Sequence, residues 1–140
     1  MHKKNIYIDG SSGTTGLRIN QILKNHEKVS IIKIDEKFRK NEKYRLEAIK
    51  NSDLSILCLP DEESARIAKW FNKDDKIIDT STHHRVNSSW VYGLAELQID
   101  QREKISNSNL VANPGCYPTG IILAIKPLVD NHIISSSYPL

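Results

Sequence analysis

With 140 residues, 39% of them hydrophobic, the chain can bury one core and leaves no room for a second full domain. Its formal net charge of +3 comes from lysines and arginines dispersed among acidic residues, not drawn into a basic stripe with interleaved aromatics, which argues against a nucleic-acid partner. No segment approaches the roughly 18 apolar residues of a membrane span, nothing resembles an export signal, and the two cysteines, Cys58 and Cys116, stand too far apart in dissimilar contexts to suggest a disulfide framework or a metal cluster, so a cytoplasmic location is expected.

Residues 5–9 read as a short strand that runs into the glycine turn Gly10-Ser11-Ser12-Gly13-Thr14-Thr15-Gly16. Leu17, Ile19, Ile22 and Leu23 then recur at helical spacing. Residues 29–34 form a second strand ending at Asp35, a charged loop spans 36–43, and a helix follows with Leu46 and Ile49 on one face. The nearly continuous apolar run 54–59 is that of a parallel strand buried on both faces, with Cys58 inside it as an inert core residue and Pro60 closing it. Another helix buries Ala65, Ile67, Ala68, Trp70 and Phe71. Residues 76–79 and 109–112 supply two more strands. Alternating strands and helices with short connections predict an α/β fold, a Rossmann-like doubly wound parallel sheet.

Gly10, Gly13 and Gly16 make a G-x-x-G-x-x-G variant of a dinucleotide fingerprint, placed between a strand and a helix as the mechanism requires. Glycines let the backbone approach a pyrophosphate, and the helix starting near Thr14 or Thr15 directs N–H groups and a positive dipole at the phosphate charge. The competing reading is a glycine turn with no ligand. Asp35 stands where a carboxylate holds the adenosine ribose, yet Lys37, Arg39 and Lys40 follow at once and would welcome a 2′-phosphate, tilting the cofactor toward NADP. A solvated lysine-rich loop is the alternative.

In Asn113-Pro114-Gly115-Cys116-Tyr117-Pro118-Thr119-Gly120 a cysteine sits at a turn directly before an apolar helical run. Pro118 fits the first turn of that helix. Unpaired backbone N–H groups and the dipole of a helix start favour a thiolate, so Cys116 reads as a nucleophile, against the alternative of a buried structural cysteine.

Five motifs in order resemble N-acetyl-gamma-glutamyl-phosphate reductase in its shorter-chain form: Gly13-Thr14-Thr15-Gly16-Leu17-Arg18-Ile19, Cys58-Leu59-Pro60-Asp61, Asp79-Thr80-Ser81-Thr82-His83-His84-Arg85, Trp90-Val91-Tyr92-Gly93-Leu94-Ala95-Glu96-Leu97 and the cysteine turn. The resemblance implies an NADPH-dependent oxidoreductase of arginine biosynthesis, related to aspartate-semialdehyde and glyceraldehyde-phosphate dehydrogenases. Cys116 would attack the acyl phosphate of N-acetyl-glutamyl 5-phosphate, and the resulting thioester would be reduced to the semialdehyde. By the same resemblance the cofactor (NADP) would be held by Gly10, Ser12, Gly13, Thr14, Thr15, Gly16, Asp35, Arg39, Pro60 and Ser81. The acyl phosphate would meet His84, Arg85 and Asn113. No metal is implied. His83 reads as a surface residue, and Trp90, Tyr92 and Glu96 as structural.

The chain reaches Ser135-Ser136-Ser137-Tyr138-Pro139-Leu140 where the family enters its second, α+β catalytic domain, so the resemblance implies residues 1–115 as the nucleotide-binding domain and 116–140 as only the start of the next. That missing part would carry the general acid and base and much of the assembly surface of a homo-oligomeric full-length form. His132 lies about four helical turns beyond Cys116, too remote to replace the missing histidine. The alternatives are an inactive truncated NADP-binding module and a related semialdehyde dehydrogenase acting on another acyl phosphate.

Overall fold

Strands β1 (Lys4–Asp9), β2 (Val29–Ile32), β3 (Leu54–Leu57), β4 (Ile77–Asp79), β5 (Val91–Tyr92) and β6 (Leu110–Ala112) form one sheet in the computed structural model, which describes residues 2–137. Their order is β2-β1-β3-β4-β6-β5 and every pairing is parallel. Helices α1 (Thr14–Leu23), α2 (Glu42–Lys50), α3 (Asp61–Ala68), α4 (Gln101–Asn107) and α5 (Cys116–Asp130) connect or follow the strands.

The two-residue alternation of β1 explains both layers. Ile6 and Ile8 point to one face, where Ile56 joins them beneath Ile19 and Leu23 of α1. Tyr7 points to the other face, with Leu57, Ile49 of α2 and Ile67 of α3. Helices therefore cover both faces, the arrangement that a parallel sheet requires. The chain steps outward from β1 to β2 and then crosses back to β3 on the other side of β1. That reversal opens a crevice at the carboxyl ends of β1 and β3, the place where such sheets take ligands.

Several boundaries differ from the sequence reading. The second strand stops at Ile32 because β1 is its only partner and the ladder ends at Tyr7 opposite Ile32. The third stops at Leu57, so Cys58 is not an interior strand residue: it lies just past the ladder, half-buried, its N–H donating to Asp9 O at 2.8 Å. The charged loop 36–43 contains a 3-10 turn at Glu36–Phe38, and α2 already begins at Glu42, capped by the side chain of Asn41. β5 and α4 have no counterpart in the sequence reading. Of the expected start of a second domain, residues 138–140 lie outside the described residues, and α5 itself buries none of its residues.

Candidate functional site

The glycine turn is a tight structure at the carboxyl end of β1. Gly10 has φ +78°, a left-handed conformation that side chains disfavour, and a Cβ there would lie 2.2 Å from Cys58 O. A Cβ on Gly16, in the first turn of α1, would lie 2.3 Å from Gly10 O. Gly13 differs: its φ is −78° and its Cβ would meet Gly10 O at 3.4 Å, ordinary contact, so its place owes nothing to strain. It caps α1 with no side-chain bond, leaving the first N–H groups of the helix directed outward beside the exposed Ser12, Thr14 and Thr15.

A cavity of about 580 Å³ opens over the ends of β1 and β2, lined among others by Gly10, Ser12, Lys33, Arg39, Lys40 and Pro60. Arg39 Nη1 donates to Ser12 Oγ at 2.6 Å, bringing the basic loop onto the glycine turn. Asp35 takes a different position from the one its sequence place suggests. Its carboxylate accepts the Lys37 N–H at 3.1 Å as the cap of the 3-10 turn, and it does not line the cavity.

The cavity floor holds a buried charge network that the sequence reading missed. Arg45, on the buried face of α2, places Nε 3.0 Å and Nη2 2.9 Å from Asp9 Oδ2, while its Nη1 reaches Glu63. Arg66 then clasps Glu63 from the solvent side at 2.9 and 2.8 Å. Burial pushes the Asp9 carboxyl up, with Arg45 opposing it, and pushes the Tyr7 phenol up beside it. Glu63 goes the other way, held at about 2 by its bonds to Arg66 and then Arg45. The signal was spacing: Arg45 stands three and four residues before Ala48 and Ile49, on the face that packs inward.

The second half of the site lies along the same sheet edge, at the ends of β4 and β6, where Asn113 N–H donates to Asp79 O at 2.7 Å. Asp79 is fully buried and its carboxylate is surrounded. Ser64 Oγ donates to Oδ1 at 3.0 Å, Ser81 donates its N–H to Oδ1 at 3.1 Å and its hydroxyl to Oδ2 at 2.5 Å, and His84 Nδ1 faces Oδ2 at 2.6 Å. His84 also stacks on the buried Trp90, ring centroids 4.0 Å apart. The structure thus places Ser81 and His84 in the interior, 6% and 3% exposed, with the Ser81 hydroxyl and His84 Nδ1 committed to Asp79 and His84 Nε2 making no hydrogen bond among the described residues. Their sequence position next to the ligand edge was legible; the carboxylate that draws them inward was not read as their partner.

Arg85, by contrast, remains at the edge, donating from Nε to Asn113 O and from Nη2 to Thr80 O, both at 3.2 Å. Asn113 turns its own amide onto Pro114 O at 3.1 Å. Cys116 is exposed as the first residue of α5, with Gly115 as the cap. Cys58 is half-buried, and burial pushes its thiol up. His83 is exposed, and no helix among the described residues is long and apolar enough to cross a membrane.

Comparison with known proteins fits this edge. The family described as semialdehyde dehydrogenase, NAD binding domain, matches residues 5–108. The chain belongs to that family. N-acetyl-gamma-glutamyl-phosphate reductases of Brucella ovis and Brucella canis are each 44% identical to it over 140 residues, 99% of this chain and 45% of theirs. The chain therefore spans about half the length of these curated relatives. Solved aspartate semialdehyde dehydrogenases share the family fold: the Vibrio cholerae enzyme II aligns over 92% of this chain and 47% of its own at 18% identity with a TM-score of 0.62. The Candida albicans enzyme, solved with NADP, aligns over the same shares at 12% identity and 0.64.

Proposed function

We propose that the chain contributes the nucleotide-binding part and the nucleophile of a cytoplasmic reductase that converts N-acetyl-glutamyl 5-phosphate to N-acetyl-glutamate 5-semialdehyde with NADPH, in arginine biosynthesis. Residues 1–115 form the nucleotide-binding part, and 116–140 begin the catalytic part. The observation that carries this reading is the exposed Cys116 at the first position of a helix, on the same sheet edge as the glycine turn. The likeness to the Brucella relatives points the same way, since they bear that enzyme's name at 44% identity.

The residues present fit a dinucleotide phosphate. Outward N–H groups at the start of α1, the hydroxyls of Ser12, Thr14 and Thr15, and the close turn at Gly10 and Gly16 would hold the pyrophosphate. Arg39, with Lys40 beside it on the cavity wall, would take the 2′-phosphate, while Asp35, which would repel that group, is turned onto its own cap. When bound, NADPH supplies the hydrogen and two electrons that reduce the acyl group.

Cys116 Sγ attacks the acyl carbon, the bond from that carbon to the phosphate oxygen breaks, and inorganic phosphate leaves with the acyl group held as a thioester. After reduction, the carbon–sulfur bond breaks and the aldehyde departs as the thiol is restored. That last step needs a proton transfer beside Cys116. His84 is held at Nδ1 by Asp79 with Nε2 unbonded, and His132 lies past the end of α5, whose fifteen residues put its far end roughly 20 Å from Cys116 at 1.5 Å per residue. By the family resemblance, the proton donor would come from the catalytic part that residues 116–140 begin.

Incubating the chain with the acyl phosphate tests this. The expected result is one equivalent of phosphate released and an N-acetyl-glutamyl adduct on Cys116 in the intact mass, absent in Cys116→Ala, without repeated turnover. Preferential acylation by aspartyl phosphate would move the chain to aspartate-semialdehyde chemistry. No adduct from either would remove Cys116 as the nucleophile.

A further inference from the structure

The loop after β4 is fastened at nearly every residue. Thr80 Oγ1 donates to Leu57 O at 2.9 Å, Ser81 and His84 are held by the buried Asp79, and Thr82 N–H donates to Asp61 Oδ1 at 2.8 Å at the start of α3. One side chain leaves this anchored loop toward the neighbouring strand. Arg85 spans from Thr80 O, at the end of β4, to Asn113 O, at the end of β6. Its third nitrogen, Nη1, lies 2.5 Å from where a Cβ on Gly115 would be, closer than any real side chain could come. Gly115 is the cap of α5, its carbonyl accepts the Thr119 N–H that closes the first helical turn, and the next residue is Cys116.

We infer that Arg85 is a positioning residue for Cys116: its guanidinium cross-braces the ends of β4 and β6 and fills the space beside Gly115, fixing where α5 and its thiol begin, while the Asp79–His84 pair anchors the loop that delivers it. This rests on the reading of Cys116 as nucleophile and gives Arg85 a role other than contact with substrate. The planar fork is what the geometry uses, since two of its nitrogens meet two carbonyls on different strands. A lysine ammonium carries the same charge but not this span. Gly115 is required for the same reason, as any side chain there would displace the guanidinium.

The test compares the second-order rate of Cys116 alkylation by iodoacetamide in the folded chain with its rate in the urea-unfolded chain at the same pH. Backbone protection of Thr119 is followed by hydrogen exchange. A folded-to-unfolded ratio above one is expected for the unaltered chain, from the donors at the helix start. Arg85→Met and Arg85→Lys should both bring that ratio down to one and shorten the protection of Thr119, with the near-ultraviolet signal of the two tryptophans retained. Should Arg85→Met lose that tryptophan signal, Gly115→Ala carries the same expectation, because it leaves the guanidinium present but displaced. A ratio and a Thr119 protection unchanged in these variants would overturn the inference. A ratio of one in the unaltered chain would instead count against the nucleophile reading, and Thr119 protection alone would then decide the brace.

Discussion

Arg39 Nη1 and Ser12 Oγ are 2.6 Å apart, so a side chain from the loop after β2 closes onto the glycine turn after β1. The contact aims a permanent positive charge at the wall where a ribose phosphate would sit. Arg39→Ala is therefore expected to weaken NADP binding by about 1.5–3 kcal/mol, the scale of a hydrogen bond to a charged group, while NAD binding changes little. Calorimetric titration of both cofactors reads the difference. Equal losses for the two would take Arg39 away from the 2′-phosphate.

Gly10 and Gly13 should part company on substitution. Alanine at Gly10 must adopt φ +78° and push against Cys58 O, and the backbone conformation alone costs about 1–3 kcal/mol. Alanine at Gly13 meets only ordinary contact, so stability should stay within about 0.5 kcal/mol. Urea midpoints measure both. If Gly13→Ala is the more damaging, the turn is strained somewhere other than Gly10.

The fold was legible where a pattern repeated over several residues. Alternation in β1, the apolar run of β3 and the glycine turn each declared themselves locally. β5 did not, because two residues, Val91 and Tyr92, carry no periodicity and become a strand only by pairing with Val111 and Ala112. Gly10 at a strand-to-helix turn and Cys116 at a helix start stand where the sequence puts them, whereas the reach of Arg39 to Ser12 and the approach of Gly10 to Cys58 join residues far apart in the chain. The site was not legible at His84, since Ser64 and Asp79, which with it make one polar cluster, arrive from α3 and β4. Arg45 escaped for a related reason: an arginine is read as exposed until the carboxylates that neutralise it are found 36 and 18 residues away.

Glu63 gives the chain a definite acid response. Its folded value, about 2, lies below the ordinary 4.5, so its contribution is fully present above pH 4.5 and is lost as pH falls toward 2. Asp9 is raised by burial and works in the opposite sense, removing stability as pH rises above the ordinary carboxylate range. Glu63→Gln should therefore lower the melting temperature at pH 6, by a deficit that shrinks as pH falls from 4.5 toward 2. Thermal scans across that interval check it, and a deficit independent of pH would mean that the Arg45 and Arg66 bonds matter by shape and not by charge.

The two thiols should separate cleanly in the folded chain. Cys116 is exposed at a helix start, whereas Cys58 is half-buried and raised by that burial. Peptide mapping after brief iodoacetamide treatment at neutral pH should find the label on Cys116, with Cys58 modified only as the chain unfolds. Earlier labelling of Cys58 would reverse the assignment of the reactive thiol.

Helix α5 carries the thiol at its first residue, buries none of its fifteen residues and contains Pro127, which withholds one backbone donor. Fifteen residues is close to the length at which an unsupported helix is only marginally formed in water. With Ile121, Leu123 and Leu128 exposed, its middle presents an apolar face that the described residues do not cover, and its amides there should exchange on the fast side of the molecule's range. Both ends are closed, the first turn by the Thr119 N–H on Gly115 O and the last by the His132 and Ile133 N–H groups on Val129 O and Leu128 O, so the thiol keeps a fixed address at the root of an element stopped at each end and bare between.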